Sequence, residues 1–145
     1  MAEIYSQYYN LKTTGLRFFT IYGEWGRPDM LILKYLLAIK NKKTFNLNNY
    51  GNHERDFTYI DDAIFILDKL INKKQSKNYE IFNICSNKPI KLSLILKVLN
   101  ENFSKPKIRK RKFQLADVLK THGDNRKIKK FIKFHNFTEI KIGLS

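Results

Sequence analysis

Cysteine is all but missing from this 145-residue chain, in which Cys85 stands alone. One thiol excludes an internal disulfide framework and agrees with a reducing compartment. Glycine is sparse as well: of six, only Gly23 and Gly26 lie close together. No Gly-x-Gly-x-x-Gly or Gly-x-x-Gly-x-x-Gly turn occurs, so the chain cannot build a glycine-rich phosphate-cradling turn of that type by itself. No uninterrupted apolar run approaches the roughly 20 residues a membrane helix needs. The N-terminus lacks a basic-then-apolar signal pattern, which makes the cytoplasm the expected location. His53, His122 and His135 share no ligand spacing with one another or with Cys85, and this argues against a metal site.

Acidic residues are also few, 13 against 28 basic, for a formal net charge of +15. Such a field suits a nucleic acid or an anionic membrane surface. The basic residues are scattered rather than gathered into one stripe, however, and the main cluster, residues 105–112 with Arg109 and Arg111, is one short segment. A solvated Lys- and Asn-heavy surface explains them more simply, and no nucleic-acid or membrane partner is expected. Hydrophobic content of 43% and aromatic content of 14% fit one globular unit with a real core.

The chain opens in mid-element. Residues 1–10 read as the end of a helix, with Ile4, Tyr5, Tyr8 and Tyr9 at helical spacing. A strand is expected over 16–22, a helix over 30–42 and a short strand over 45–47. The Asn- and Gly-rich residues 48–52 form a turn, and a strand follows over 55–60. Asp61 is the expected cap of a helix reaching about Asn72. Residues 75–78 form a polar loop. A buried strand spans 79–85, and Ser93 caps a helix to about Phe103. An extended segment covers 107–111. Asp124 caps a helix through Phe131, and Thr138 caps another that ends at Ser145. Alternating helix and strand argues for an α/β fold.

The stretch 13–30 organises the rest. An aromatic and β-branched strand runs into a polar loop punctuated by Gly23 and Gly26. Arg27 offers a fork of donors suited to a carboxylate or phosphate, and Pro28 opens the next helix. Ligands in open α/β sheets sit beyond the carboxyl ends of strands, which makes Thr20 and Arg27 the first contact candidates. The alternative for each is a local backbone bond.

The run TGLRFFTIYGEWGRPDM, with RDFTYIDD (residues 55–62) and FNICSNKPIKL (residues 82–92) downstream in the expected order, resembles the extended short-chain dehydrogenase/reductases. The likeness is greatest to nucleotide-sugar 4-epimerases of the UDP-glucuronate type, and it covers nearly all of the chain. It implies the C-terminal part of an extended Rossmann-type epimerase, lacking the N-terminal dinucleotide-binding half. Residues 1–145 would form one region, the last strands of the Rossmann-type sheet plus the small C-terminal substrate-binding domain. By the same resemblance Thr20 and Arg27 hold the sugar of a nucleotide-sugar and Arg55 grips its diphosphate. The complete enzyme would use NAD to oxidise and re-reduce sugar C4 through a 4-keto intermediate. A dehydratase or decarboxylase of the same superfamily, or a non-catalytic remnant, is the alternative.

No catalytic residue is assigned here. Tyr8 and Lys12 match Tyr-x-x-x-Lys by spacing but sit at the helix exit, whereas the family's pair falls upstream of Met1. A separate N-terminal half or a homodimer partner would complete the enzyme. Adjacent Asp61 and Asp62 suit a helix start better than acid/base work. Asp117 and Val118 match the family's Pro-Gly-Asp-Val turn, with Leu115 and Ala116 replacing its Pro-Gly. Cys85, where a glycine is common, reads as a small buried hydrophobe. Trp25 and Tyr22 either stack on a ligand or cover the loop, and the sequence does not separate the two.

Overall fold

The computed structural model describes residues 1–75, 77–115 and 117–144. Ser76 of the polar loop, Ala116 of the substituted turn and Ser145 at the expected helix end lie outside the described residues. The first helix, α1 (Ala2–Tyr9), stops at Asn10, whose left-handed backbone (φ 51°) suits an Asn. Its buried residue is Ser6, whose Oγ donates to the Asn78 carbonyl at 2.6 Å. Ile4, Tyr5, Tyr8 and Tyr9, placed on one face by their spacing, are all exposed.

The strand expected over 16–22 starts earlier and changes partner midway. β1 (Thr13–Phe18) lies parallel to β5 (Tyr79–Ile84), with Leu16 opposite Phe82. β2 (Thr20–Tyr22) lies parallel to β4 (Glu54–Tyr59), with Thr20 opposite Phe57. Phe19 marks the switch, its amide still donating to the Ile84 carbonyl at 3.1 Å. β4 then pairs antiparallel with β6 (Pro89–Lys91), while β3 (Phe45–Leu47) pairs parallel with β7 (Ile108–Lys110). Between β3 and β4 a 3-10 turn (Asn48–Gly51) carries left-handed Asn49 and Tyr50.

The helices are α2 (Leu31–Lys40), α3 (Ile60–Ile71), α4 (Leu92–Asn102), α5 (Arg126–Ile132) and α6 (Ile140–Gly143). Several of their caps differ from expectation. β4 runs straight into α3 and β6 straight into α4, so the cap positions fall on the last strand residues, Tyr59 and Lys91. Asp61 and Ser93 are thereby inside their helices. Asp61 and Asp62 complement the N-terminal dipole from the first turn. Asp62 also accepts from the Thr138 amide (2.8 Å) and hydroxyl (3.0 Å). Thr138 is thus spent on a tertiary contact, and Glu139 precedes α6. Asn125 holds the cap position of α5, while Asp124 Oδ1 accepts from the Arg126 amide at 2.9 Å, one residue back.

Two apolar cores result. One gathers Tyr35 and Ala38 of α2, Phe45 and Leu47 of β3, Phe57 of β4 and Ile95, Val98 and Leu99 of α4. The other joins Ala63, Ile66 and Leu70 of α3 to Phe82 and Ile84 of β5 and Ile128 of α5. α3 and α4 bury residues at three- and four-residue spacing, while β5 buries every second one, as their geometries require. Among the described residues no helix is long and apolar enough to cross a membrane.

Candidate functional site

A cavity of about 380 Å³ opens between the β2–β4 strands and the start of α2. Side chains of successive strand residues point to opposite faces. Arg55 and Phe57 of β4 therefore share one face, and with His53, just before the strand, they line the cavity. Asp56 and Thr58 face the other way and are buried. Beside them on the neighbouring strand are Thr20 and Tyr22 of β2, followed by Gly23, Gly26, Arg27 and Asp29 of the loop. The three residues singled out in the sequence, Thr20, Arg27 and Arg55, thus line one space although Arg55 lies 35 positions from Thr20 in the chain. The space also extends along the strands to the amino end of β4, and not only beyond the carboxyl ends.

Arg27 is 76% exposed and forks onto Asp29, with Nε to Oδ1 at 3.0 Å and Nη2 to Oδ2 at 2.6 Å. Those hydrogen bonds hold the Asp29 carboxyl below the usual carboxylate range. An exposed pair two residues apart is worth little in water, so the guanidinium can exchange Asp29 for another carboxylate at small cost. Arg55 is held more firmly. Its Nη1 donates to the Glu54 carbonyl (2.9 Å) and the Leu119 carbonyl (3.3 Å), and its Nη2 to Asp117 Oδ1 (3.1 Å). Neither adjacent carboxylate, Glu54 or Asp56, pairs with it. Glu54 Oε2 takes Lys120 instead (3.1 Å), and Asp56 is committed elsewhere.

Asp56, fully buried, fixes the loops beside this wall. Its Oδ1 accepts from the Ser86 amide (2.9 Å) and hydroxyl (2.7 Å), and its Oδ2 from the amides of Asn87 (3.1 Å) and Gly123 (3.0 Å). The Thr121 hydroxyl accepts from the Asp56 amide at 3.1 Å. The sequence offered only its place in RDFTYIDD; its role depends on partners 30 to 67 positions away.

Tyr22 is buried, and burial, with the Asp62 charge adding to it, pushes the phenol up from its ordinary value. Trp25 is fully exposed in a left-handed turn (φ 58°) and covers nothing. Cys85 is buried as expected, and burial pushes its thiol up to about 12. Tyr8 is exposed, Lys12 Nζ donates to the Gln75 carbonyl, and neither lines the cavity. Among the described residues no three His, Cys, Asp or Glu side chains form a group that could hold a metal.

The glycines do not make a dinucleotide cradle. A Cβ on Gly23 (φ 129°) would meet Ile60 Cγ2 at 2.5 Å, and one on Gly26 would meet the Gly23 carbonyl at 3.3 Å. Gly23 and Gly26 reach the cavity wall, but each is packed where an added Cβ would crowd its neighbours, and the two do not form a glycine-rich turn. The described residues therefore do not fit NAD on their own.

Parallel strands and interleaved helices define an α/β fold, with two guanidinium groups on the wall of its cavity. A model of the NAD dependent epimerase/dehydratase family matches residues 1–85, and the chain belongs to that family. Protein CapI of Staphylococcus aureus is 36% identical over 100% of this chain and 48% of its own length. A UDP-glucuronate 4-epimerase of Thermodesulfobacterium geofontis is 35% identical over 99% of this chain and 44% of its own. Among solved structures, a UDP-glucuronic acid 4-epimerase from Bacillus cereus, in complex with UDP-glucuronic acid and NAD, superposes with a TM-score of 0.89 at 24% identity. That match covers 99% of this chain and 46% of the other, and it shows that the fold is that of Rossmann-type epimerases. The chain spans about half the length of the curated relatives it matches.

Proposed function

We propose that this chain supplies the nucleotide-sugar-binding part of an NAD-dependent 4-epimerase acting on a UDP-uronic acid, with UDP-glucuronate the preferred ligand. The observation that carries the reading is the convergence of Thr20, Arg27 and Arg55 on one cavity. Arg55, anchored by two carbonyls and Asp117, offers fixed positive donors to a diphosphate. Arg27, loosely held by Asp29, turns its fork to the carboxylate that distinguishes a uronic acid from a neutral hexose. The Thr20 hydroxyl, on the strand between them, bonds the sugar. These residues bind and orient the ligand. The redox chemistry and its base belong to polypeptide carrying a glycine-rich turn and Tyr-x-x-x-Lys, in the same chain or a separate one.

Support for that second half comes from the first elements. Among the described residues β1 pairs only with β5, which leaves its other edge open, and the apolar face of α1 is bare. Parallel sheets are ordinarily covered on both faces and extended by further strands. Isothermal titration tests the reading: wild type should bind UDP-glucuronate more tightly than UDP-glucose. Arg27→Met should reduce that preference about tenfold, the scale of one charge-assisted pair, and Arg55→Met should weaken both ligands. A preference unaffected by Arg27→Met would contradict the role of Arg27, and a wild-type chain that binds neither ligand would overturn the proposal.

A further inference from the structure

His53 was set aside in the sequence because it has no metal-ligand spacing, yet it is the most unusual group in the cavity wall. It follows the left-handed Asn49–Tyr50 corner, is 1% exposed and lines the cavity two positions before Arg55. Its ring packs beside Phe113, with centroids 6.0 Å apart. Nε2 is shielded from water and makes no hydrogen bond, although Asp117 Oδ2 stands 3.3 Å away. The other oxygen of that carboxylate takes Arg55 Nη2 at 3.1 Å. One partly buried acid thus faces both an imidazole and a guanidinium at the same end of the cavity. A buried polar nitrogen that makes no hydrogen bond is costly and needs a reason.

We propose that His53 is a further ligand-binding residue, its Nε2 donating a hydrogen bond to a phosphate oxygen of the nucleoside diphosphate that Arg55 holds. The inference rests on the proposed role of Arg55 and adds a donor that the sequence did not suggest. His53 and Arg55 both line the cavity and both face the Asp117 carboxylate, so their donors converge at the same end of it. A phosphate, with several acceptor oxygens, can engage both at once, whereas the Asp117 carboxylate leaves Nε2 unsatisfied. Asp117 is partly exposed and its contact with Nε2 is not a hydrogen bond, so a phosphate oxygen displaces no hydrogen bond at the imidazole.

The test uses the full chain and UDP. Calorimetry on wild type, His53→Phe and His53→Gln should show about a tenfold loss of UDP affinity in His53→Phe, the scale of one hydrogen bond to a charged group. His53→Phe keeps the aromatic bulk beside Phe113. His53→Gln, which restores an N–H donor, should recover most of the loss. Equal UDP affinity in His53→Phe and wild type would overturn the inference and leave the proposed function standing; no UDP binding by wild type would overturn both. A second measurement needs no variant. In imidazole nitrogen spectra of wild type, UDP should shift His53 Nε2 while His122 and His135 serve as internal references, and uridine should leave it in place. A His53 signal unmoved by saturating UDP, or moved equally by uridine, overturns the phosphate contact.

Discussion

Replacing Asp56 by Asn changes no volume and one charge, and it should unfold the protein far more easily. The carboxylate accepts from four donors: the Ser86 amide and hydroxyl on Oδ1, and the Asn87 and Gly123 amides on Oδ2. An Asn amide has one acceptor oxygen, so its NH₂ must face one pair. Facing Asn87 and Gly123, it leaves two amides unpaired. Facing Ser86, it leaves one, because the hydroxyl can rotate and accept. The cheaper arrangement still orphans the Ser86 amide, at about 1–3 kcal/mol, and removes the charge from the remaining bonds. The expected loss is about 3 kcal/mol. For a chain of this length that lowers the melting temperature by roughly 6–12 °C. Urea denaturation followed by circular dichroism, with thermal melts alongside, measures it. A stability within about 0.5 kcal/mol of wild type would refute the view that Asp56 ties the 86–87 and 121–123 loops to β4.

Gly123→Ala should cost about 2 kcal/mol in the same assay, since the added Cβ meets Phe19 Cζ and Cys85 Cβ, each at 2.8 Å, in a packed wall. Cys85, its thiol raised to about 12 by burial and by the Asp56 charge, should resist a disulfide reagent at pH 8 in the folded protein and react on addition of denaturant. Hydrogen bonds from Arg126 hold the Asp124 carboxyl at about 2. A depressed acid stabilises the fold above its unfolded pKa and loses that contribution as pH falls through the folded value. Arg126→Gln should therefore move the Asp124 titration up toward the ordinary carboxylate range, as carbon NMR of the side chain would show.

Much of this was legible in the residues because it is local. The helix after residue 60, with Ala63 and Leu70 on its buried face, and the strand that starts at Tyr79 are both carried by neighbouring positions, whereas the burial of Ile66 and the alternation of β5 were not read there. Motif resemblance supplied Thr20, Arg27 and Arg55, and the structure sets all three around one cavity. What escaped depends on distant partners. Nothing near Phe19 announces that the strand leaves β5 for β4, since both halves have strand composition. Asp61 and Ser93 looked like caps because Asp and Ser favour that position, but β4 and β6 feed directly into the helices and leave no free cap residue. His53 gave no signal: its meaning comes from Asp117, 64 positions later, and from a cavity formed by four separate segments. The one available hint was its place two residues before Arg55, just ahead of β4.

The central claim is that this chain holds a nucleotide-sugar between β2, β4 and the start of α2. Titrating UDP-glucuronate into isotope-labelled protein and following backbone amide and arginine side-chain resonances tests it most directly. The account predicts saturable shifts at Thr20, at the Arg27 and Arg55 guanidinium groups and at the residues around Asp117, with α5 and the far end of α3 undisturbed. Shifts confined to other surfaces, or none at saturating ligand, would contradict it.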